Sequence, residues 1–463
     1  MSEGTIAAVV LAAGRGTRMK SERAKVLHPV CGAALGAYPV RAARAAGADP
    51  IWVVVGHDGE HVQEALAAEG VGFVRQEQQL GTGHALLCAE KDLRDFRGSL
   101  LLLCGDTPLL RPETLTALAE RQRTEHAAVT VLTMRRADPA GYGRIVRNKD
   151  ELLAIVEEKD ASESERRITE VNTGIYVFEA PWVFEMLHHL DNANAQGEYY
   201  LTDVVRLARE QGAVVRALEL ADPDEALGVN NRAQLAEAAK VMQGRINYAH
   251  QLAGVTILDP ASTYIEASVR IGVDTVIHPG VHLWGKTEIG PSCLIEPGTV
   301  IRDSRLAGHV HVKAYSVIEE SEVGVNSVIG PMAHMRPGSI LRGDNKIGNF
   351  VETKKVDIGL HSKASHLTYL GDAEIGADVN IGCGTITCNY DGVNKYKTII
   401  EDEVFVGSDT QFVAPVRVGR NSLVGAGSTI VRDVPPDALA ISRAEQKNVE
   451  GWRLRHPLKK KEK

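Results

Sequence analysis

Residues 270–301 read RIGVDTVIHPGVHLWGKTEIGPSCLIEPGTVI, and Ile271, Ile277, Leu283, Ile289, Ile295 and Ile301 fall at even intervals of six. That period matches neither the 3.6 of a helix nor the alternation of a long strand; it is the repeat of a parallel β-helix. The beat lapses and resumes at Val323, Ile329, Met335, Leu341 and Ile347, then again at Val406, Phe412, Val418, Val424 and Ile430. Each hexad is expected to form one flat face with its aliphatic residue turned inward. The glycine that follows (Gly272, Gly290, Gly324, Gly330, Gly348, Gly376, Gly382, Gly407, Gly419, Gly425) is expected to turn the corner, because glycine accepts backbone angles closed to other residues. One coil cannot bury its own inner residues, so coils must stack; residues 254–440 would give about ten, a prism ~48 Å tall at ~4.8 Å per coil. The repeat alone leaves open whether the prism is a scaffold or carries chemistry.

At 463 residues the chain exceeds one ordinary core, and two or three domains are expected. A net charge of −8 and a pI near 6.1, with no long basic stripe ahead of the tail, argue against a nucleic-acid-binding protein. Lys459, Lys460, Lys461 and Lys463 read as a solvated terminus. The six cysteines show no CxxC pair and no Cys/His metal spacing, as expected of a reduced, cytoplasmic protein. No apolar stretch is long enough to span a bilayer, and Ile6–Ala13, which lacks a basic leader, reads as a strand.

The first half alternates apolar runs (Ile6–Leu11, Ile51–Val55, Leu100–Leu103) with Ala-rich amphipathic segments, the pattern of a doubly wound α/β domain with ligands at the carboxyl ends of its strands. The loop Leu11-Ala12-Ala13-Gly14-Arg15-Gly16-Thr17-Arg18-Met19-Lys20 lacks both the third glycine of a dinucleotide fingerprint and the GK[ST] ending of a Walker loop. It reads either as a glycine loop whose amides approach phosphates, with Arg18 and Lys25 to neutralise them, or as a plain strand-to-helix turn. Asp106, at the tip of the third run, suits a hard cation bridging phosphates or else caps a helix. Gln76 and Gly81-Thr82-Gly83-His84 suit the reading of a base edge. Further polar clusters lie at Gly141–Arg144, Glu157, Asn172–Gly174 and Gly228–Asn231. Between the halves, Arg232–Leu252 reads as one long helix, weakened at Gly244. The expected domains are therefore 1–230, a linker helix 231–253, the prism 254–440 and a tail 441–463.

Read in order, the words LAAGRGTRM (Leu11–Met19), QLGTGHA (Gln79–Ala85), GYGR (Gly141–Arg144), NTG (Asn172–Gly174), NAQGEYYLTD (Asn194–Asp203) and GVNNR (Gly228–Arg232) resemble a known enzyme family. It is the bacterial N-acetylglucosamine-1-phosphate uridyltransferase and glucosamine-1-phosphate acetyltransferase family. The second half adds RPG (Arg336–Gly338), HLTYLGDAEIG (His366–Gly376), TITCNYDG (Thr385–Gly392), VFVGSDTQ (Val404–Gln411) and AISR (Ala440–Arg443), so the resemblance covers nearly the whole chain. It implies a Rossmann-like α/β nucleotidyltransferase domain, a linker helix and a left-handed parallel β-helix of hexapeptide repeats. It also implies a cytoplasmic homotrimer that makes UDP-N-acetylglucosamine from glucosamine-1-phosphate, acetyl-CoA and UTP with Mg2+, without nucleic acid or membrane partners.

Carried over by position, the resemblance implies that Leu11, Ala12, Ala13, Gly14, Gln76, Gly81 and Thr82 hold the nucleotide, with Arg18 and Lys25 at its phosphates. Asp106 and Asn230 would bind the metal, and Gly143, Glu157 and Asn172 the amino sugar. In the prism His366 would be the general base, an imidazole being suited to deprotonating an amine that attacks a thioester. Arg336, Lys354, Tyr369 and Asn380 would hold the phosphosugar, Asn389 and Tyr390 the acetyl group, and Cys383, Ser408, Ala426 and Arg443 the coenzyme. Lys354, Lys355, His361, His366 and Tyr369 sit where the beat is interrupted, and a loop is expected to leave the coil there. Cys104 and Cys383 stand where many relatives have tyrosine and alanine; Cys104 is expected to pack rather than react.

Overall fold

The computed structural model describes residues 5–457, so the terminal lysines Lys459–Lys463 lie outside the described residues. Two compact units emerge, Met1–Arg245 and Ile246–Lys463. The division falls within the 21-residue helix Arg232–Leu252.

In the first unit the strands β1 (Ile6–Ala12), β2 (Ala48–Val55), β3 (Gly72–Arg75), β4 (Ser99–Cys104), β5 (Val129–Arg135), β6 (Arg144–Asn148), β7 (Glu151–Val156), β8 (Glu170–Glu179) and β9 (Val215–Glu219) form one sheet. Its order is β9-β5-β8-β4-β1-β2-β3, with β6 and β7 as a hairpin beside β8. β1 runs parallel to β2 and β4, whereas β8 is antiparallel to β4 and β5, so the sheet is mixed. Side chains alternate across a strand: in β1, Ala8 and Val10 join one core layer while Ala7 and Val9 join the other. A strand buried on both faces must be a continuous apolar run, which is how β1 and β4 read in the sequence. Their polar continuations, Ala13–Gly16 and Gly105–Asp106, therefore emerge side by side, with the Gly105 amide bonded to the Leu11 carbonyl at 2.9 Å.

In the second unit each short strand pairs in parallel with the third one along, so three strands complete a coil. Ile271 lies beside Ile289, Ile277 beside Ile295 and Leu283 beside Ile301, which places the sequence beat in the interior. The unit is a left-handed parallel β-helix. At the end of the helix Arg232–Leu252, the buried Asn247 amide donates to the carbonyls of Pro260 (2.9 Å) and Thr263 (3.0 Å) of the first coil.

Three expectations about the coil need correction. Of the ten glycines assigned to the corners, only Gly330 has positive φ. The left-handed residues stand elsewhere, in columns such as Asp274, Ser292, His309, Asn326, Asp344, His361 and Asp378. The hexad glycines are needed for close stacking: a Cβ on Gly272 would lie 2.6 Å from the backbone nitrogen of Pro291, and one on Gly324 2.5 Å from the Arg342 carbonyl carbon. Secondly, the beat does not stop after Ile301 but shortens, passing to Leu306 in five residues and again from Ile318 to Val323. Thirdly, no loop leaves between Lys354 and Tyr369, because Lys346–Ile358 and Lys363–Ile375 are continuous strands that bend through left-handed Phe350, Lys355, Leu367 and Asp372. A loop does leave at Asn389: Ile375 pairs with Ile400, and residues 389–397 are the excess.

One column of corner residues is unusual. Tyr315, Met332, Phe350 and Leu367 occupy successive coils, all have φ between 42° and 58°, and all are 48–62% exposed. Left-handed backbone costs a bulky residue on the order of 1 kcal/mol or more. Four apolar side chains thus form an exposed ridge along one edge of the prism.

Candidate active sites

In the first unit, three distant parts of the chain converge on one ammonium group. Lys25 Nζ is bonded to Asp106 Oδ2 and lies 3.2 Å from Asn230 Oδ1, which also accepts from Arg18 Nη2 at 2.8 Å. Gly16 makes the approach possible, since a Cβ there would lie 2.6 Å from Lys25 Cβ. The Val229 amide donates to the Asp106 carbonyl at 2.9 Å, tying the start of the long helix to the end of β4. Asp106 and Asn230 offer a carboxylate and an amide oxygen to the same cation. Such hard donors suit a divalent ion that draws its remaining ligands from substrate. Among the described residues no group of three His, Cys, Asp or Glu is arranged to hold a metal unaided.

Beside these charges lies a cavity of about 220 Å³. Leu11 and Thr82 line it together with Gly143, Glu157 and Asn172, so residues expected at the nucleotide and at the sugar share one space. Gln76 is buried behind the turn, donating to the Gly81 carbonyl at 3.2 Å and lying 3.0 Å from His84 Nδ1. Asn172 is held by its amide on the Gly143 carbonyl (2.8 Å), and its side-chain oxygen accepts from Gly174 N at 3.0 Å. Burial pushes the Glu157 carboxyl above its ordinary range, and the Thr202 hydroxyl, 3.2 Å away, opposes that shift. Cys104 packs: its thiol lies 3.4 Å from the Gly174 carbonyl oxygen, and burial with the nearby Asp106 charge pushes its pKa up to about 12. Ala12 and Ala13 are buried, whereas Gly14 faces open space.

In the second unit, Asn349 and His366 are neighbours on adjacent strands, and the His366 Nδ1 lies 2.8 Å from Asn349 Oδ1. With the amide oxygen facing it, Nδ1–H is the donor, and Nε2 is the ring nitrogen left with a free lone pair. The same column continues upward through Cys383, Ser408 and Ala426. A Cβ on Gly382 would lie 2.6 Å from Ser408 N, and one on Gly407 2.4 Å from Ala426 N, while Arg443 Nη1 donates to the Ala426 carbonyl at 2.8 Å. The Cys383 side chain is exposed and its carbonyl accepts from Asp409 N at 2.7 Å.

Around the next corner Arg336 and Lys354 lie on adjacent coils, and the Tyr369 hydroxyl covers Gly371, the register partner of Lys354. Lys395, from the 389–397 loop, comes within side-chain hydrogen-bonding reach of Lys354, and that contact, then its charge, lowers the Lys354 pKa, with Arg336 adding to the effect. Three crowded cations make a site for an anion. Asn389, in the same loop, donates to the Asp372 carboxylate, and Tyr390 pairs with Lys395. Arg336 is held by Glu352 at 2.8 Å.

Not every expected residue joins these groups. Asn380 pairs with Lys363 and Phe405 on the face before the Phe350–Leu367 corner, away from Arg336, Lys354 and Tyr369. His361 belongs to another edge, 3.2 Å from Asp378. Asn349 and Lys395 belong to no motif in the sequence, and Thr202 stands in the word NAQGEYYLTD without a role of its own. The signal for Asn349 was its 17-residue offset from His366, the length of a shortened coil.

A family model for the MobA-like NTP transferase domain matches residues 8–173. Over its full length the chain is 61% identical to the bifunctional protein GlmU of Syntrophotalea carbinolica, covering all of both chains. The same-named protein of Geotalea uraniireducens is 56% identical over 97% of this chain and 99% of its own, and that of Halalkalibacterium halodurans 50% over 96% and 98%.

Proposed function

Since the chain belongs to the family of bifunctional GlmU proteins, we propose residue roles for two successive transfers that together make UDP-N-acetylglucosamine. The activities are acetyl transfer from acetyl-CoA to glucosamine-1-phosphate, then uridylyl transfer from UTP to the acetylated sugar phosphate, supplying cell-envelope precursors. In the acetyl step, His366 Nε2 takes a proton from the sugar amine as its nitrogen attacks the thioester carbonyl. The new C–N bond forms, the C–S bond breaks, and the imidazolium returns its proton to the departing thiolate. Arg336, Lys354 and Lys395 bind the sugar phosphate, Tyr369 flanks it, and the coenzyme lies along the Cys383–Ser408–Ala426 column towards Arg443. Asn389 and Tyr390 stand at the acetyl group.

In the uridylyl step no protein nucleophile is required; a sugar-phosphate oxygen attacks the α-phosphorus in line as pyrophosphate leaves. Leu11–Gly14, Gln76, Gly81 and Thr82 hold the nucleotide, while Gly143, Glu157 and Asn172 hold the sugar. Asp106 and Asn230 would hold Mg2+, which would supply charge neutralisation at the phosphates when bound. Arg18 and Lys25, the two cations at this pair, would face the phosphates. That convergence of Arg18, Lys25, Asp106 and Asn230 is the observation that carries the assignment.

The protein is a cytoplasmic homotrimer in this reading. The ridge of Tyr315, Met332, Phe350 and Leu367 offers an apolar contact for a second copy, and a second copy would bring an Asn380 to the Arg336–Lys354–Tyr369 face. Among the described residues no helix is long and apolar enough to cross a membrane.

His366→Ala is expected to abolish CoA release while sparing pyrophosphate release, and Asp106→Ala to do the reverse. Loss of both activities in either folded variant overturns the two-site assignment.

A further inference from the structure

The word NAQGEYYLTD (Asn194–Asp203) has no role in the two transfers as assigned, yet it touches both halves of the uridylyl site. Asn194 folds the segment on itself, accepting from Gln196 N at 3.1 Å and Glu198 N at 3.3 Å. Tyr199 then brackets the nucleotide turn: its amide donates to the Leu80 carbonyl at 2.8 Å, and its carbonyl accepts from Gly83 N at 2.9 Å. The fit is close, for a Cβ on Gly81 would lie 2.7 Å from the Tyr199 carbonyl oxygen. Leu201 N donates to the Thr82 hydroxyl at 3.2 Å. One residue later, the buried Thr202 hydroxyl donates to Glu157 Oε1 at 3.2 Å, inside the cavity that Thr82 also lines.

We propose that Thr202 is a positioning residue for the sugar-binding carboxylate Glu157, carried on a strap that fixes the nucleotide turn with the same stretch of chain. The inference rests on the assignment of Glu157 to the amino sugar. A half-buried carboxylate crowded by other acids needs donors to stay ionised and aimed. The charged groups that face Glu157 are Asp160 on its own loop and Glu198 and Asp203 on the strap, all acidic; Tyr176 and Tyr200 are the nearby phenols, and Arg206 bears on Asp203. Against these the Thr202 hydroxyl favours the charged form, and its removal leaves a carboxyl that protonates more readily and turns more freely. Because Leu201 and Tyr199 hold the nucleotide turn through their backbone, a side-chain change at Thr202 leaves that turn in place.

The test is steady-state uridylyl transfer by the full-length enzyme carrying Thr202→Val, which keeps the shape and removes the hydroxyl. KM for N-acetylglucosamine-1-phosphate is expected to rise about five- to tenfold, the scale of one ordinary hydrogen bond, because Thr202 acts on the sugar only through Glu157. KM for UTP and the acetyl-transfer activity stay unchanged, the defect shrinks as pH rises, and Thr202→Ser restores the wild-type value. Glu157→Gln is measured alongside. If Glu157→Gln leaves the sugar-phosphate KM unchanged, the assignment of the sugar site falls. If Glu157→Gln raises that KM while Thr202→Val does not, only the role of Thr202 is overturned. It is overturned equally if Thr202→Val raises both KM values or if Thr202→Ser fails to rescue.

Discussion

Asn349→Ala removes the side-chain partner of the His366 imidazole and little else. In the resting enzyme the bond is a neutral one, 2.8 Å long, between Nδ1–H and the Asn349 oxygen. As Nε2 accepts the amine proton the ring becomes an imidazolium, and the same bond becomes charge-assisted. A neutral hydrogen bond contributes about 0.5–1.5 kcal/mol net and one to a charged group about 1.5–3, so about 1–1.5 kcal/mol develops on the way to the transition state. At about 1.4 kcal/mol per decade, kcat for acetyl transfer should fall about five- to twelvefold. The alanine also frees the ring to take the other tautomer, which adds to the loss in the same direction. The assay is thiol release from acetyl-CoA with glucosamine-1-phosphate, run beside pyrophosphate release from UTP as an internal control of folding. KM for acetyl-CoA should not move. Asn349→Asp should shift the acid limb of the acetyl-transfer pH profile upward, because a carboxylate then faces the imidazolium. An unchanged kcat in Asn349→Ala would refute the orienting role. A loss matching that of His366→Ala, about 10²–10⁴ for a general base, would mean that Asn349 meets the substrate itself.

Two stability predictions follow from other features. The folded-state pKa of Glu157 is raised above its ordinary 4.5 by burial, so its favourable contribution is fully present below that value and lost as pH rises through the folded value. Glu157→Gln should therefore raise the thermal midpoint of the first unit at about pH 8 and give no gain at about pH 4; equal shifts at both values would count against a burial penalty. Gly324→Ala forces a methyl group to within 2.5 Å of the backbone of the next coil, whereas Gly427→Ala meets no atom within 4 Å and carries only the strain of φ +71°. Thermal unfolding should find Gly324→Ala the more destabilised, by more than the roughly 1–2 kcal/mol that left-handed backbone costs alanine.

The prism was legible because its inward positions admit little but aliphatic side chains, so Ile271 to Ile301 advertise the coil directly. Its corners were not, for left-handed backbone leaves no compositional mark when Tyr315, Met332 and Phe350 adopt it against their own preference. In the first unit Asp106 and the Leu11–Gly14 loop were legible because apolar strands end abruptly beside them. Thr202 stood within a readable word, but its part in the site, like that of Lys395 and Asn349, was illegible for a common reason. Each meets a neighbour supplied by folding, Glu157, Lys354 and His366 respectively, and no local pattern in the sequence names that neighbour.

Beyond the first coil, whose step from Ile257 to Ile265 takes eight residues, all length variation falls at a single edge. Steps from the Leu283–Ile301–Ile318 column to the Ile289–Leu306–Val323 column take six, five and five residues, later thirteen between Thr387 and Ile400 and four between Ile430 and Val434, while the other two edges keep six. That edge behaves as an expansion joint, absorbing every insertion and deletion beyond the first coil so that the remaining two stay in vertical alignment from there on. The His366 column and the apolar ridge both run along an aligned edge. New sequence can be grafted at the joint, as the 389–397 loop has been, without shifting a single rung of the ladder on which the coenzyme would lie.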